Sequence, residues 1–398
     1  MSKASPHKGW NITEAQREVY RERSKASSRA KKQALNGEGK KPIHPINIPN
    51  LNPENLMPQM PRNKWRSLSL FSGGGGLDLG FDRAGFNHIS SYDILPEAGN
   101  TLRNLRPDWQ IFSGEKGDVT KVDWRSYRGS IDIIHGGPPC QPFSVAGRQK
   151  GKEDNRDMFP EFIRAVLEIE PLIFVAENVT ALVSKKFSKY VEEVIESPLA
   201  SYYKLRKFIL NASDFGISQI RKRVFFVGFR DEKYLAKYQP PKPTHRWHHL
   251  STNQSTKPVQ LNIFEDYENT DKLQLCMGIR EALGLPNIGF DALSPTLRSG
   301  LTGLRHTTSI LSSVSAQKAW EKLQIWPNGV AENREKAHLF VAKNSHFRLS
   351  VPDCGILQGF PESWQFSGAV YQALGQIGNA VPPPMAYQIA LSIAQVFS

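Results

Sequence analysis

The chain has 398 residues, 39% of them hydrophobic, with a net charge of +13 and a pI near 9.5. That length suits two domains or one large domain with an insertion. No window approaches the roughly 18 consecutive apolar residues of a membrane span, and the charged N-terminus is followed by no apolar stretch, which disfavours a secretory signal. The basic balance points to an anionic partner, most simply nucleic acid.

More than half of the positive excess lies in residues 1–43, where a mostly polar helix is expected over "TEAQREVYRERSKASSRAKKQAL". Such a basic tail is more often a solvated extension than a reader of DNA. Residues 42–62 carry six prolines and read as an extended linker, with the folded body starting near Trp65. From there to about Arg230, short apolar runs alternate with helical patterns. Strands are expected at Ser67–Phe71, His88–Asp93, Trp109–Phe112, Ile131–Ile134, Leu172–Ala176, Leu205–Leu210 and Arg223–Phe229. In "FPEFIRAVLEIE", Phe159, Phe162, Ile163, Val166 and Leu167 share one helical face. This alternation predicts an α/β fold with a doubly wound, mainly parallel sheet, whose ligands sit beyond the carboxyl ends of the strands. Residues 231–345 lack the alternation and read as a separate irregular domain, and order returns over 346–398.

The first candidate site is "SLSLFSGGGGLDLGF", a strand, a four-glycine turn and a helix start. Glycines allow close approach to the backbone, and free N–H groups at a helix start can hold polar ligand atoms. The dinucleotide pattern G-x-G-x-x-G fails, because its last position is Asp78 or Leu79. Asp93 ends the next strand, where a carboxylate can accept from ribose hydroxyls. An adenosine-type cofactor or a ligand-free turn fits this segment. The second, "HGGPPCQPFSVAG", places Cys140 on a rigid turn past a strand. Of the three cysteines, Cys140, Cys276 and Cys354, none has a C-x-x-C partner, which disfavours disulfides and zinc and suits a reducing cytoplasm. The zinc deaminase pattern P-C-x-x-C also fails, with Phe143 at its last position and no H-x-E upstream. A nucleophilic thiolate or an inert half-buried cysteine remains.

Glu177 and Asn178, in "LIFVAENVTAL", end an apolar strand, where a carboxyl with a raised pKa can act as an acid or merely cap the next segment. Arg221 and Arg223, in "QIRKRVFFVGF", lie two apart on one strand face and suit a carbonyl, a phosphate or plain solvent. His245, His248 and His249 cluster in "THRWHHL" without an acidic or thiol companion, so they read as loop rather than a metal site.

Taken in this order, the segments resemble the DNA cytosine-5 methyltransferase family over about residues 66–398. "FSGGGGLDLGFDRAGF" matches its cofactor motif and "GGPPCQPFSVAGRQKG" its nucleophile motif and mobile loop. "ENV" matches its acid motif, "QIRKR" its Q-x-R-x-R motif, and "LQGFPESW" and "GQIGNAVPPPMA" its last two. The resemblance implies S-adenosylmethionine as cofactor, and no metal. Phe71 would lie against the adenine, with Gly73, Gly75 and Gly76 near the methionine portion. Asp93 would bind the ribose, Ile94 would pack on the purine and Asp118 would accept from the adenine amine. Met158, Asn379 and Val381 would complete the pocket, to which Leu77, Val119 and Pro139 are also assigned.

Cys140, Glu177, Arg221 and Arg223 are the implied catalytic set. Cys140 would add to cytosine C6, Glu177 would hold N3 and Arg223 would contact O2 of a base flipped out of the duplex. Gln141, Ser144 and Arg148 are the expected DNA contacts in the loop, with Ser144 to Gly151 closing over the base. Thr296 and Leu297 resemble the Thr-Leu signature of target-recognition domains, which assigns that role to 231–345. The implied domains are therefore 1–65 as extension and linker, 66–230 as catalytic and cofactor-binding, 231–345 as target-recognition and 346–398 as a segment returning to the catalytic domain. Ser218 replaces a common proline, and Asp353 and Ile356 stand where the family usually has glutamate and arginine. The implied partners are double-stranded DNA and a separately acting restriction endonuclease, with the chain a cytoplasmic monomer. The rivals are a tRNA cytosine-5 methyltransferase of the same family, whose Cys-Phe-Thr signature is missing, a non-catalytic DNA-binding regulator and a nicotinamide enzyme.

Overall fold

The computed structural model describes residues 13–36, 38, 45–139, 157–247, 273–299, 308–339 and 346–397. All seven expected strands form, their ends shifted by no more than three residues: β1 Arg66–Leu70, β2 Asn87–Asp93, β3 Gln110–Ser113, β4 Ile133–Gly136, β5 Ile173–Val179, β6 Lys204–Asn211 and β7 Lys222–Phe229. They make one sheet in the order β3-β2-β1-β4-β5-β7-β6. The first five are parallel, and β7 runs antiparallel to both β5 and β6. The doubly wound, mainly parallel α/β fold read from the alternation is the fold observed.

Adjacent residues on each strand feed opposite faces, as a period of two requires. Ile133, Val175, Phe225 and Val227 pack on one side with helix Gly76–Arg83 and the C-terminal helix Pro383–Val396. Ile134, Phe174, Val224 and Phe226 pack on the other with Phe162 and Val166 of helix Phe159–Ile169. The C-terminal helix lies so close to Gly76–Arg83 that a Cβ on Gly80 would stand 2.5 Å from that of Ala386.

Two segments carry more structure than their sequence suggests. Residues 45–62 are extended apart from one short 3-10 turn at Pro53–Leu56, and Leu51 and Met57 are buried in the body. Residues 231–345 include a helix–strand–helix run, Val314–Lys322, Ile325–Ala331 and Arg334–His338. Its strand pairs in parallel with Phe347–Ser350, and Ser313 caps its first helix by accepting from the Ala316 N–H at 3.1 Å. Trp320 and Leu323 share a core with Leu349, Leu357 and Leu374, so their burial is decided by residues far along the chain. Among the described residues no helix is long and apolar enough to cross a membrane.

Candidate active site

The sheet brings the candidate segments to one edge. Leu70 is in register with Gly136 and Gly136 with Ala176, so the turns after β1 and β4 and the end of β5 are neighbours. Because β7 is antiparallel, its first residues arrive at the same edge, with Arg223 opposite Val179. Cys140, Gln141, Ser144 and Arg148 lie outside the described residues, as do His248 and His249.

The turn after β1 begins with Phe71 at φ 56°, a left-handed conformation that costs a non-glycine residue about 1–3 kcal/mol and gathers at functional loops. The four glycines that follow are not equivalent. Among the described residues, a Cβ on Gly73 (φ +53°) would meet nothing within 4 Å. On Gly75 it would stand 2.6 Å from Leu102 Cδ2, and on Gly76 2.1 Å from the Val381 carbonyl oxygen. Among the described residues, Gly73 alone of these three borders open space, whereas Gly75 and Gly76 let other parts of the protein press against the turn. Trp364, in "LQGFPESW", adds to this by donating its indole N–H to the Gly74 carbonyl at 3.0 Å.

Asp93 braces the turn from β2, accepting from the Gly73 N–H at 2.7 Å and the Leu95 N–H at 2.8 Å. Burial pushes its carboxyl pKa up, and the two N–H groups pull it back. Beside it Ile94 is 56% exposed, an apolar side chain left available to a planar ligand. Asp118 accepts from the hydroxyl (2.7 Å) and N–H (3.1 Å) of Thr120, and these bonds, the hydroxyl first, hold its pKa below the usual carboxylate range. It lines a surface recess with Tyr92, Phe112 and Lys121.

Met158 and Pro139 are half-buried and Asn379 is exposed. Leu77, Val119 and Val381 are buried, the first two in the cores on opposite faces of the sheet. Those side chains are packing, so only their backbones are left to address a ligand. Beneath the turn, Asp78 is fully buried and accepts from Ser91 Oγ at 2.7 Å, and desolvation raises its pKa to about 6.

Glu177 lies two residues before the end of β5, with its carboxyl buried and Arg223 Nε 2.8 Å from Oε1. Burial raises the Glu177 pKa, opposed by the nearby charges of Arg223 and Arg221. A Cβ on Gly137 would stand 3.0 Å from Glu177 Oε2, so the acid reaches directly against the turn after β4. Asn178, which the sequence marks only by its place beside Glu177, donates from Nδ2 to the Pro138 carbonyl at 3.1 Å. It thereby ties the acid-bearing strand to the turn that leads into Cys140. The other two cysteines are poor nucleophiles. Cys276 and Cys354 are buried, and burial pushes the Cys276 thiol up to about 12 and that of Cys354 well above its ordinary value.

Arg221 departs from its expected catalytic part. It is fully buried and donates to the carbonyls of Gly378 (2.7 Å), Ala380 (2.9 Å) and Leu297 (3.4 Å). Those contacts join three distant segments and make it a positioning residue. Leu297 is likewise corrected: it is 1% exposed and packs with Trp320 and Leu374, so its side chain cannot touch DNA. Thr296 donates its hydroxyl to the Ile220 carbonyl at 2.6 Å. Gln219 completes the junction, donating to the Leu357 carbonyl (2.9 Å) and to Gln358 Oε1 (3.0 Å) and accepting from the Leu297 N–H (3.2 Å). Of the two departures in the C-terminal segment, Asp353 pairs with Arg334 at 2.9 Å and Ile356 packs on Leu51 and Ala282. Both serve packing.

A family profile described as C-5 cytosine-specific DNA methylase matches residues 65–395. The Type II methyltransferase M.NgoMIV of Neisseria gonorrhoeae is 34% identical over 333 residues, 83% of this chain and 97% of the relative. M.FnuDI of Fusobacterium nucleatum is 30% identical, covering 83% and 94%. Among solved structures, the Entamoeba histolytica methyltransferase EhMeth aligns with a TM-score of 0.52 at 15% identity, over 85% of this chain and all of that one. A prophage-encoded DNA modification methyltransferase of E. coli gives 0.51 at 22%, over 84% and 99%; at these identities both bear on the fold alone. On the profile match and the curated relatives, the chain belongs to the C-5 cytosine-specific DNA methylase family and is a DNA cytosine-5-methyltransferase.

Proposed function

We propose that the protein transfers the methyl group of S-adenosylmethionine to C5 of a cytosine turned out of a specific short duplex sequence. We further propose that it does so as the modification half of a type II restriction system, a monomer protecting DNA from a separately acting endonuclease in the cytoplasm. The observation that carries this reading is the buried Glu177–Arg223 pair set against the Gly137–Pro139 turn, one strand away from the open side of Gly73.

The residues fit the cofactor. Open space beside Gly73 admits the methionine portion, Asp93 retains lone pairs for the ribose, and Phe71 and the exposed Ile94 offer apolar surface to the adenine. When bound, S-adenosylmethionine supplies an electrophilic methyl group. The chain's own groups make cytosine able to take it. The Cys140 thiolate adds to C6, converting C4–C5 into an enamine-like donor. Protonated Glu177, favoured by burial, holds N3 and offsets the charge that builds there, while Arg223 contacts O2. Loss of the C5 proton and departure of Cys140 restore the ring. None of this fits within a stacked duplex, so the base must leave it.

In this reading residues 66–230 carry the chemistry, 231–345 recognise the target, 346–398 close the cofactor side, and 1–65 extend the chain. Gln141, Ser144, Arg148 and Thr296 contact the DNA. Bisulfite sequencing of DNA from cells expressing the chain tests the proposal. Protected cytosines at one recurring short sequence are expected, and their absence would refute it.

A further inference from the structure

The segment 45–63 lies before the matched residues, yet it occupies the C-terminal ends of two helices at once. The last carbonyls of a helix have no partner within it. In the short helix Ile279–Ala282, the Asn50 and Leu51 N–H groups donate to the Ala282 carbonyl at 3.0 and 3.1 Å, and Asn50 Nδ2 donates to that of Glu281 at 2.8 Å. Asn47 Nδ2 adds bonds to the Leu283 carbonyl (3.1 Å) and Asp353 Oδ1 (3.0 Å). A Cβ on Gly284 would stand 1.9 Å from the Ile48 carbonyl oxygen, so the two backbones touch.

At the other end the segment caps helix Gly76–Arg83, the one that starts at the glycine turn. The Met60 N–H donates to the Arg83 carbonyl at 2.8 Å and Gln59 Nε2 to that of Asp82 at 3.2 Å. Arg62 pairs with Asp82 at 2.6 Å. Between the two attachments Met57 is fully buried, and Tyr387 donates its hydroxyl to the Pro58 carbonyl at 2.8 Å. Proline fixes φ near −65° and lowers the freedom of such a connection, and Pro49, Pro53, Pro58 and Pro61 all fall within it.

We propose that residues 45–63 are a brace that positions the recognition segment around residues 279–297 relative to the cofactor-side helix, so that bound duplex DNA is held in fixed register with the glycine turn from which that helix starts. Asn47, Asn50 and Leu51 are its positioning residues at the recognition end. The inference rests on the assignment of 231–345 to target recognition. It also explains Ile356, which buries against Leu51 and Ala282 in a position where a charge could not stay unpaired.

The test is the full chain carrying Asn47→Ala and Asn50→Ala together, compared with the unaltered protein. Duplex binding is read by fluorescence anisotropy on a labelled DNA fragment selected for tight binding by the unaltered protein, and S-adenosylmethionine binding by calorimetry. The brace predicts that DNA affinity falls about tenfold, the scale of one or two lost hydrogen bonds, while cofactor affinity stays unchanged because the attachments at 59–62 are intact. Unchanged DNA affinity would overturn the proposal, and so would equal losses of both affinities, which mark a general loss of folded protein. Should the double variant not fold, Leu51→Ala is read by the same pair of measurements. Neither assay needs turnover, so failure of methyl transfer to cytosine would be a separate result.

Discussion

The glycine turn permits a prediction in which neighbouring substitutions of the same kind have opposite consequences. In Gly76→Ala, the new Cβ would stand 2.1 Å from the Val381 carbonyl oxygen. Reaching an ordinary contact of about 3.2 Å requires roughly 1 Å of backbone movement in a packed core, and overpacking of that kind costs about 1–3 kcal/mol. Val381 and Ala380 also lie in the core under the sheet, and Arg221 and Gln358 hold the Ala380 carbonyl, so relief cannot be local. In Gly73→Ala the new Cβ meets nothing within 4 Å among the described residues, and the cost is the left-handed backbone at φ +53°, about 1–2 kcal/mol. That Cβ, however, projects into the space assigned to the cofactor. Chemical denaturation should therefore rank Gly76→Ala as the less stable protein. Calorimetric titration with S-adenosylmethionine should show Gly73→Ala losing at least about tenfold in affinity while still folded, a loss of about 1.4 kcal/mol. If Gly73→Ala bound the cofactor as tightly as the unaltered chain, or Gly76→Ala matched its stability, the division of labour within the turn would be wrong.

Three further outcomes follow from individual side chains. Asn178→Ala leaves the buried Pro138 carbonyl without its donor, at a cost of about 1–3 kcal/mol; single-turnover methyl transfer should slow roughly tenfold or more with cofactor affinity intact, and an unchanged rate would remove Asn178 from the account. Asp78, raised to about 6 by burial, gives stability that is full below its ordinary value near 3.8 and is lost as pH rises through 6. The difference between Asp78→Asn and the native chain should thus shift by up to about 3 kcal/mol in the variant's favour between pH 4 and pH 8, and a difference independent of pH would contradict it. The raised Glu177 pKa keeps a larger share of the acid protonated near neutrality, so the pH–rate profile should decline on its alkaline side, and Glu177→Gln should lower the rate and flatten that decline.

What the sequence made legible was local. The seven strands could be placed because each is a short apolar run between turns, and Phe71–Gly76 and Glu177 could be set near one edge because parallel strands end on the same side, whereas Arg223 reaches that edge only because β7 runs antiparallel. What it concealed depends on partners far along the chain. Nothing near Arg221 shows that its guanidinium meets carbonyls at 297, 378 and 380, so it read as a catalytic cation. Leu297 sat within a signature whose apolar half is buried for packing, not for DNA. The proline-rich 45–62 stretch had the composition of a linker, and only the helix ends at 83 and 282 reveal that its backbone N–H groups have fixed acceptors.

In the proposed mechanism Cys140 opens cytosine to methylation while Glu177 and Arg223 act on the same base. The most direct measurement is transfer of a labelled methyl group from S-adenosylmethionine to duplex DNA by the purified protein and by Cys140→Ala. Transfer by the first and none by the second is expected, with DNA binding retained. Undiminished transfer by Cys140→Ala, or transfer to tRNA and not to DNA, would contradict it.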